Sequence, residues 1–228
     1  MKKILLLHGA IGALDQLNPL KKELSGKFEV HSINFTGHGG GEIPREPFSI
    51  EMFAGDIIGY IEKNNLEGID IFGYSMGGYA ALYAVFMKPS KLGKIFTLAT
   101  KFEWSPEAAE REVKMLDSEK IKQKVPKFAE ELAKRHGEDK WVKVLEKTGE
   151  MMLGLGRNNL LTGEVLGKVK NEVLVGVGDN DKMVSLEETI AAFRALPNAQ
   201  LTVLPHTMHP IEMVELTRIC SEINSFLN

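Results

Sequence analysis

The chain of 228 residues has a single cysteine, Cys220, so no disulfide can form within it. That agrees with a reducing compartment, and a cytoplasmic protein is the expectation. Long apolar runs are also missing: nothing approaches the ~18 apolar residues that a transmembrane helix needs. The opening Met1-Lys2-Lys3-Ile4-Leu5-Leu6-Leu7 has the look of a signal peptide, but its apolar run stops at His8-Gly9. That is shorter than a secretory core segment, so a soluble chain without membrane insertion is expected. Charge of one sign is not in excess either, with 28 Lys and Arg against 31 Asp and Glu. This balance gives no electrostatic reason to expect nucleic acid or an anionic membrane as partner. No His/Cys cluster is present, and Asp179-Asn180-Asp181 lacks the further ligand spacing of a calcium loop, so no metal is expected. Repeats and low-complexity tracts are absent too.

What is present is an alternation of short apolar runs with helical patterns, the signature of βαβ units and a mostly parallel sheet of about six strands flanked by helices. The strand candidates are Lys3–Leu7, Glu29–Asn34, Ile69–Tyr74, Lys94–Ala99, Glu172–Val177 and Gln200–Leu204. Their near-continuous apolar content suits strands covered on both faces. Helical patterns run over Leu14–Leu24, Ile50–Asn64, Met76–Met87, Leu186–Ala195 and Ile211–Leu227. From Ser105 to about Gly167 the alternation fails, and only charged amphipathic helices can be read, with Pro106 and Pro126 as helix starts. Roughly sixty residues is too long for a structureless loop, so this stretch reads as an all-helical insertion between the fourth and fifth strands.

The sharpest local feature is Gly73-Tyr74-Ser75-Met76-Gly77-Gly78, placed between an apolar strand and an apolar helix. A G-x-S-x-G pattern arises by chance in roughly one chain in ten of this length, so its strand–turn–helix setting carries the weight. Glycines two before and two after the serine let the chain turn tightly without Cβ clashes, and the following helix start supplies free N–H groups. The plain alternative is a Gly-rich turn with a capping serine. A serine hydroxyl becomes a nucleophile only when a base takes its proton. Of six histidines, His31 falls mid-strand and His136 lies among charges in the insertion, both read as surface or core residues. His206 and His209 follow the last strand at the carboxyl edge, which is also the edge of Ser75. The loop after the fifth strand offers Asp179 and Asp181 to orient an imidazole, or to cap the next helix in competition with Ser185. An oxyanion would be met by the Met76 N–H and by a donor from His8-Gly9-Ala10-Ile11-Gly12.

These motifs resemble those of the α/β-hydrolase superfamily over nearly the whole chain. Leu5-Leu6-Leu7-His8-Gly9-Ala10 is similar to its oxyanion strand and loop, which implies Ala10 as the second N–H donor beside Met76. Phe35-Thr36-Gly37-His38-Gly39 resembles its Asp-x-x-Gly-His-Gly loop, with Asn34 or a neighbour where aspartate is usual. Gly178-x-x-Asp181-x-x-Val184 matches Gly-x-x-Asp-x-x-Val-Pro with Ser185 in place of proline, and favours Asp181 as the acid. Leu204-Pro205-His206-Thr207-Met208-His209 lines up with Ile-Pro-x-x-Gly-His, favouring His209, although Met208 replaces the glycine. The resemblance thus implies the catalytic set Ser75, Asp181 and His209, without cofactor.

The resemblance also implies a core over 1–100 and 169–228 and a helical cap over 101–168. The family commonly begins with a hairpin that this chain lacks ahead of its oxyanion strand, so a shortened sheet is expected. Ile11, Trp104, Met151, Met152 and Met183 are the substrate-binding candidates, and Met115, Leu116, Phe128, Leu132, Trp141, Leu145 and Leu155 are further apolar residues of the insertion. Any of these could equally hold the insertion's helices together. The implied activity is hydrolysis of a carboxylic ester or thioester of a small-molecule acyl substrate. Acyl transfer, C–C hydrolysis, a lyase step and a non-enzymatic binding role are the alternatives on the same scaffold.

Overall fold

The computed structural model describes residues 1–228. Six strands, β1 (Lys2–Leu7), β2 (Phe28–Ile33), β3 (Ile69–Tyr74), β4 (Leu92–Leu98), β5 (Val173–Gly178) and β6 (Ala199–Leu204), form one sheet in the order β2-β1-β3-β4-β5-β6. Every pairing is parallel. The chain therefore winds one way from β1 to β2 and the other way from β3 onward. That reversal leaves the carboxyl ends of β1 and β3 side by side, the place where open parallel sheets form sites.

Period-two alternation sorts the strand residues onto two faces. Leu5, Leu7, Ile71, Ile95 and Val175 join one buried cluster with α2 (Ile50–Asn64), α3 (Met76–Met87) and α9 (Leu186–Ala195). Ile4, Leu6, Phe72, Phe96 and Leu174 join the other with α1 (Asn18–Leu24) and α10 (Leu216–Leu227). In α2, Ile57 and Ile61 are fully buried, each worth about 1.5–3 kcal/mol over an exposed position. Ser49 caps that helix by accepting from the Met52 N–H at 3.1 Å.

Two helix expectations need correction. The pattern over Leu14–Leu24 is split into a 3₁₀ turn, Leu14–Leu17, and α1, with Pro19 in the first turn of α1. The expected helix Ile211–Leu227 starts only at Leu216: Ile211–Met213 is a 3₁₀ turn, and Val214 and Glu215 are extended. Ile211 and Val214 are buried as the pattern implied, but from a loop that wraps the end of the sheet.

Between β4 and β5 there is no strand. The segment comprises α4 (Pro106–Val113), α5 (Ser118–Lys124), α6 (Pro126–His136), α7 (Trp141–Arg157) and the single turn α8 (Gly163–Leu166). Pro106 and Pro126 do open helices, and Ser105 caps α4 by accepting from Ala108 N–H. These helices keep a small core of their own from Ile121, Ala129, Leu132, Ala133, Trp141 and Leu145. None of the chain's helices is long and apolar enough to cross a membrane.

Candidate active site

Only Ser75 separates the end of β3 from the start of α3, and it carries the whole reversal at φ 52°, ψ −117°. Such a conformation costs a non-glycine residue on the order of 1–3 kcal/mol. The backbone on both sides holds it there. Its N–H donates to Leu98 O at 2.8 Å, and its carbonyl accepts from Gly78 N–H, Tyr79 N–H and Thr100 Oγ1 at 3.0, 3.2 and 3.0 Å. The flanking glycines are needed for space. A Cβ on Gly73 would come within 2.6 Å of Gly78 Cα, and one on Gly77 within 2.6 Å of Leu7 O. The second contact seats the elbow against the end of β1, where Leu7 pairs with Gly73.

Opposite this elbow, two loops converge. His209 Nδ1 donates to Asp181 Oδ2 at 2.8 Å, and the Asp181 side chain is completely buried. Its other oxygen accepts from Met183 N–H and Val184 N–H at 2.8 and 2.9 Å, so the carboxylate is fixed at both oxygens. Capping of α9 falls to Ser185 and Glu188, which form a reciprocal capping box. Asp179 does something else: it is exposed, and its carboxylate accepts from Thr207 N–H at 3.2 Å. The neighbouring N–H groups of His206 and Thr207 hold its carboxyl below the ordinary range. With Asp179 N–H to Leu204 O and Asn180 N–H to Thr207 O, both at 3.1 Å, it laces the β5 loop to the β6 loop.

His206 is exposed, and although its N–H faces Asp179, its ring bonds to neither aspartate side chain. The left-handed residue there is His206, at φ 53°. Met208 is not left-handed, which is why the loop accepts methionine where glycine is usual. Glu103, the next acid after β4, is exposed and bonds through its N–H to Glu188 Oε2, and its side chain makes no bond to His209. Tyr74 braces His209 from below, donating its hydroxyl to the His209 carbonyl at 2.9 Å. Burial, with Glu212 and Asp181 nearby, pushes that phenol well up and keeps it a donor.

Ser75 and His209 open onto one cavity of about 240 Å³, together with Ala10 and Met76. The Ser75 hydroxyl makes no protein hydrogen bond in this structure. The Ala10 N–H meets no protein acceptor, and the Met76 N–H is among those a helix start leaves without an internal partner. Ile11, Trp104, Met151, Met152 and Met183 all line the cavity, as do Leu116, Phe128 and Leu155. Met115, Leu132, Trp141 and Leu145 do not: Met115 is exposed, and the other three belong to the helical segment's own core.

Sequence reasoning missed the polar residues of the wall. Lys101 lies 3.8 Å from Glu112 and 3.6 Å from Glu188, and Arg135 lies 3.4 Å from Asp15 and 3.9 Å from Glu212. Both cations are thereby paired within mostly hydrophobic walls that also include Ile50 and Tyr79. No group of three or more His, Cys, Asp or Glu is placed to hold a metal ion.

It also missed a buried histidine cluster beside the cavity. The rings of His8 and His136 lie 5.2 and 5.7 Å from that of His38, which stacks on Phe48 at 5.2 Å. His8 donates from Nδ1 to Gly9 O at 2.8 Å and accepts at Nε2 from Phe35 N–H at 3.2 Å. His136, on the helical segment, donates from Nε2 to Ile11 O at 2.8 Å and accepts at Nδ1 from Gly39 N–H at 3.2 Å. Burial pushes all three pKa values down, that of His38 to about 4; neighbouring histidine rings lower His8 and His38 further, and Arg135 lowers His136. Asn34, in the place of the usual aspartate, accepts from Leu14 N–H at 2.8 Å and packs on Gly39, a structural role.

This fold and elbow agree with the comparison to known families. The family model described as alpha/beta hydrolase fold matches residues 2–142, and the chain belongs to that family. A thermophilic esterase from Thermogutta terrifontis superposes with a TM-score of 0.80 at 23% identity, over 100% of this chain and 89% of that one. Esterase YbfF of Escherichia coli is 25% identical over 96 residues, 42% of this chain and 37% of that protein. Ethanol acetyltransferase 1 of Hanseniaspora uvarum is 30% identical over 89 residues, 38% of this chain and 26% of that protein. The chain thus spans well under half the length of these two curated relatives.

Proposed function

We propose that the chain is a serine hydrolase that cleaves a carboxylic ester or thioester of a small to medium acyl substrate through an acyl-enzyme on Ser75. The observation that carries this reading is the 2.8 Å bond from His209 Nδ1 to buried Asp181, beside the cavity that Ser75 lines. With its Nδ1 proton committed to Asp181, His209 keeps Nε2 free to accept the Ser75 proton. The Ser75 oxygen then attacks the acyl carbon, and the carbonyl oxygen gathers negative charge against the Ala10 and Met76 N–H groups. His209 returns the proton to the departing alcohol or thiol. It next takes one from water, which attacks the acyl-enzyme and releases the acid with Ser75 restored. The apolar wall contributed by residues 101–168 suits an acyl chain, and that segment acts as the cap over the site.

A second reading is favoured by the resemblance to an acetyltransferase: an alcohol in place of water accepts the acyl group. Adding ethanol to a turnover assay and measuring ethyl ester separates the two outcomes. For the common step, Ser75→Ala should keep the wild-type circular dichroism spectrum, lose fluorophosphonate labelling, and lose about 10⁴-fold or more in kcat on p-nitrophenyl butyrate. Labelling of that variant at the wild-type rate would put the nucleophile elsewhere.

A further inference from the structure

We infer that His136 is a positioning residue for the oxyanion-binding loop, an inference that rests on the acyl-enzyme reading above. The loop after β1 closes a tight turn in which Gly12 N–H donates to Gly9 O at 3.1 Å. The third residue of that turn is Ile11, at φ 51°. Turns of this kind ordinarily place glycine or asparagine there, and a β-branched residue stays in that region only when its surroundings hold it. Within the turn, the carbonyl of Ile11 is held by a single side chain, the Nε2–H of His136 at 2.8 Å. Ile11 directly follows Ala10, which lines the cavity with Ser75 and whose N–H meets no protein acceptor. Relaxation of Ile11 to negative φ rotates the peptide planes of the turn and moves the Ala10 N–H with them.

His136 is well placed to prevent that. It ends α6, is buried to 1% exposure, and has both ring nitrogens engaged, Nε2 to Ile11 and Nδ1 to Gly39 N–H. Its tautomer is therefore set by two backbone groups of opposite type. The preceding residue, Arg135, docks the same helix turn on Asp15 and near Glu212, across the cavity mouth. The helical segment thus reaches into the core at the one loop whose backbone must be aimed, and its last α6 turn is anchored on both sides while it does so.

The test compares two amides at position 136. Glutamine sets its amide nitrogen where Nε2 lies and keeps the bond to Ile11. Asparagine reaches only as far as Nδ1, so it keeps the link to Gly39 and drops Ile11. On p-nitrophenyl butyrate, His136→Asn should lose about tenfold or more in kcat with KM within about twofold, since the lost contact acts on the transition state. His136→Gln should stay within about threefold of wild type. His136→Leu, which fills the space without a donor, repeats the test should the asparagine variant not fold. Lys140→Ala is the structural control: its ammonium ties α7's approach to Gly40 O and Gly41 O without touching Ile11, and kcat should be unchanged. Equal kcat in the Asn and Gln variants, or an equal loss in Lys140→Ala, overturns the inference. If the wild type is not labelled by fluorophosphonate at Ser75, the acyl-enzyme reading itself fails. If it is labelled while the asparagine variant turns over normally, only the role of His136 falls.

Discussion

The two walls of the cavity are built by different means. On the sheet side, the elbow, the Asp181 loop and the His209 loop are joined mainly by backbone hydrogen bonds and by backbone approaching backbone. A Cβ on Gly178 would lie 2.1 Å from Thr207 O. On the helical side the attachments to the core are side chains: His136 to Ile11 and Gly39, Lys147 to the carbonyls of Arg45 and Glu46, Tyr79 to Asn159 at 2.7 Å. Backbone lacing tolerates little displacement, whereas a side-chain tie can be exchanged or lost singly. Under the proposed function, the contrast suits a division in which one wall carries the reacting groups and the other selects what reaches them, the His136 tie to the Ile11 loop being the point where the second supports the first.

The largest effect that would sharpen this contrast is expected within the lacing itself. Asp181→Asn keeps the shape but cannot hold the same imidazole tautomer, and kcat should fall roughly 10³–10⁴-fold. Asp179→Asn should cost less than about tenfold, because its role is to tie Thr207 N–H. Both are read as kcat on one activated ester after a folding check by circular dichroism. A crippled Asp179→Asn beside an active Asp181→Asn would reverse the assignment.

A smaller effect concerns the seam between the walls. His8, His38 and His136 are all held below the ordinary histidine range by burial. The unfolded chain therefore takes up protons as pH drops through about 6.5, while the folded chain resists. Stability is full above that value and is lost on acidification towards 4. His38 alone accounts for on the order of 3 kcal/mol by then, at about 1.4 kcal/mol per unit. The urea midpoint should fall steeply between pH 6.5 and 4.5, and His38→Phe, which retains the aromatic stack, should flatten that fall. An unchanged slope in the variant would mean that carboxylates carry the acid sensitivity.

The smallest change is expected on the selecting wall. Met152→Ala should move the ratio of kcat/KM for longer over shorter acyl esters by roughly tenfold. Turnover of the shortest ester should stay within about threefold. A uniform loss across all chain lengths would show that Met152 does not discriminate by chain length.

Much of the sheet side was legible beforehand. Apolar runs located all six strands to within about two residues, because strands buried on both faces leave little freedom in composition. Ser75 and the two carboxyl-edge loops stood out because turn residues and close approaches restrict the sequence locally. His136, Arg135, Lys101 and Glu212 did not stand out. Their partners lie more than a hundred residues away for Arg135 with Asp15 and for His136 with Ile11, and no local pattern encodes such a meeting. The late start of α10 was hidden for a related reason. Ile211 and Val214 are buried at helical spacing, and periodicity reports burial without reporting the backbone that achieves it.

The chain has two tryptophans, and both belong to the helical side: Trp104 lines the cavity, and Trp141 packs in the separate core of that segment. Tryptophan emission, excited selectively over tyrosine, therefore comes from no residue of the sheet. Far-ultraviolet dichroism sums over the whole molecule, so the two signals viewed together report on different halves without any introduced label. Transitions that fail to coincide on heating would reveal the helical wall loosening ahead of the sheet. A ligand settling beside Trp104 would alter emission even in a Ser75→Ala protein that cannot turn it over.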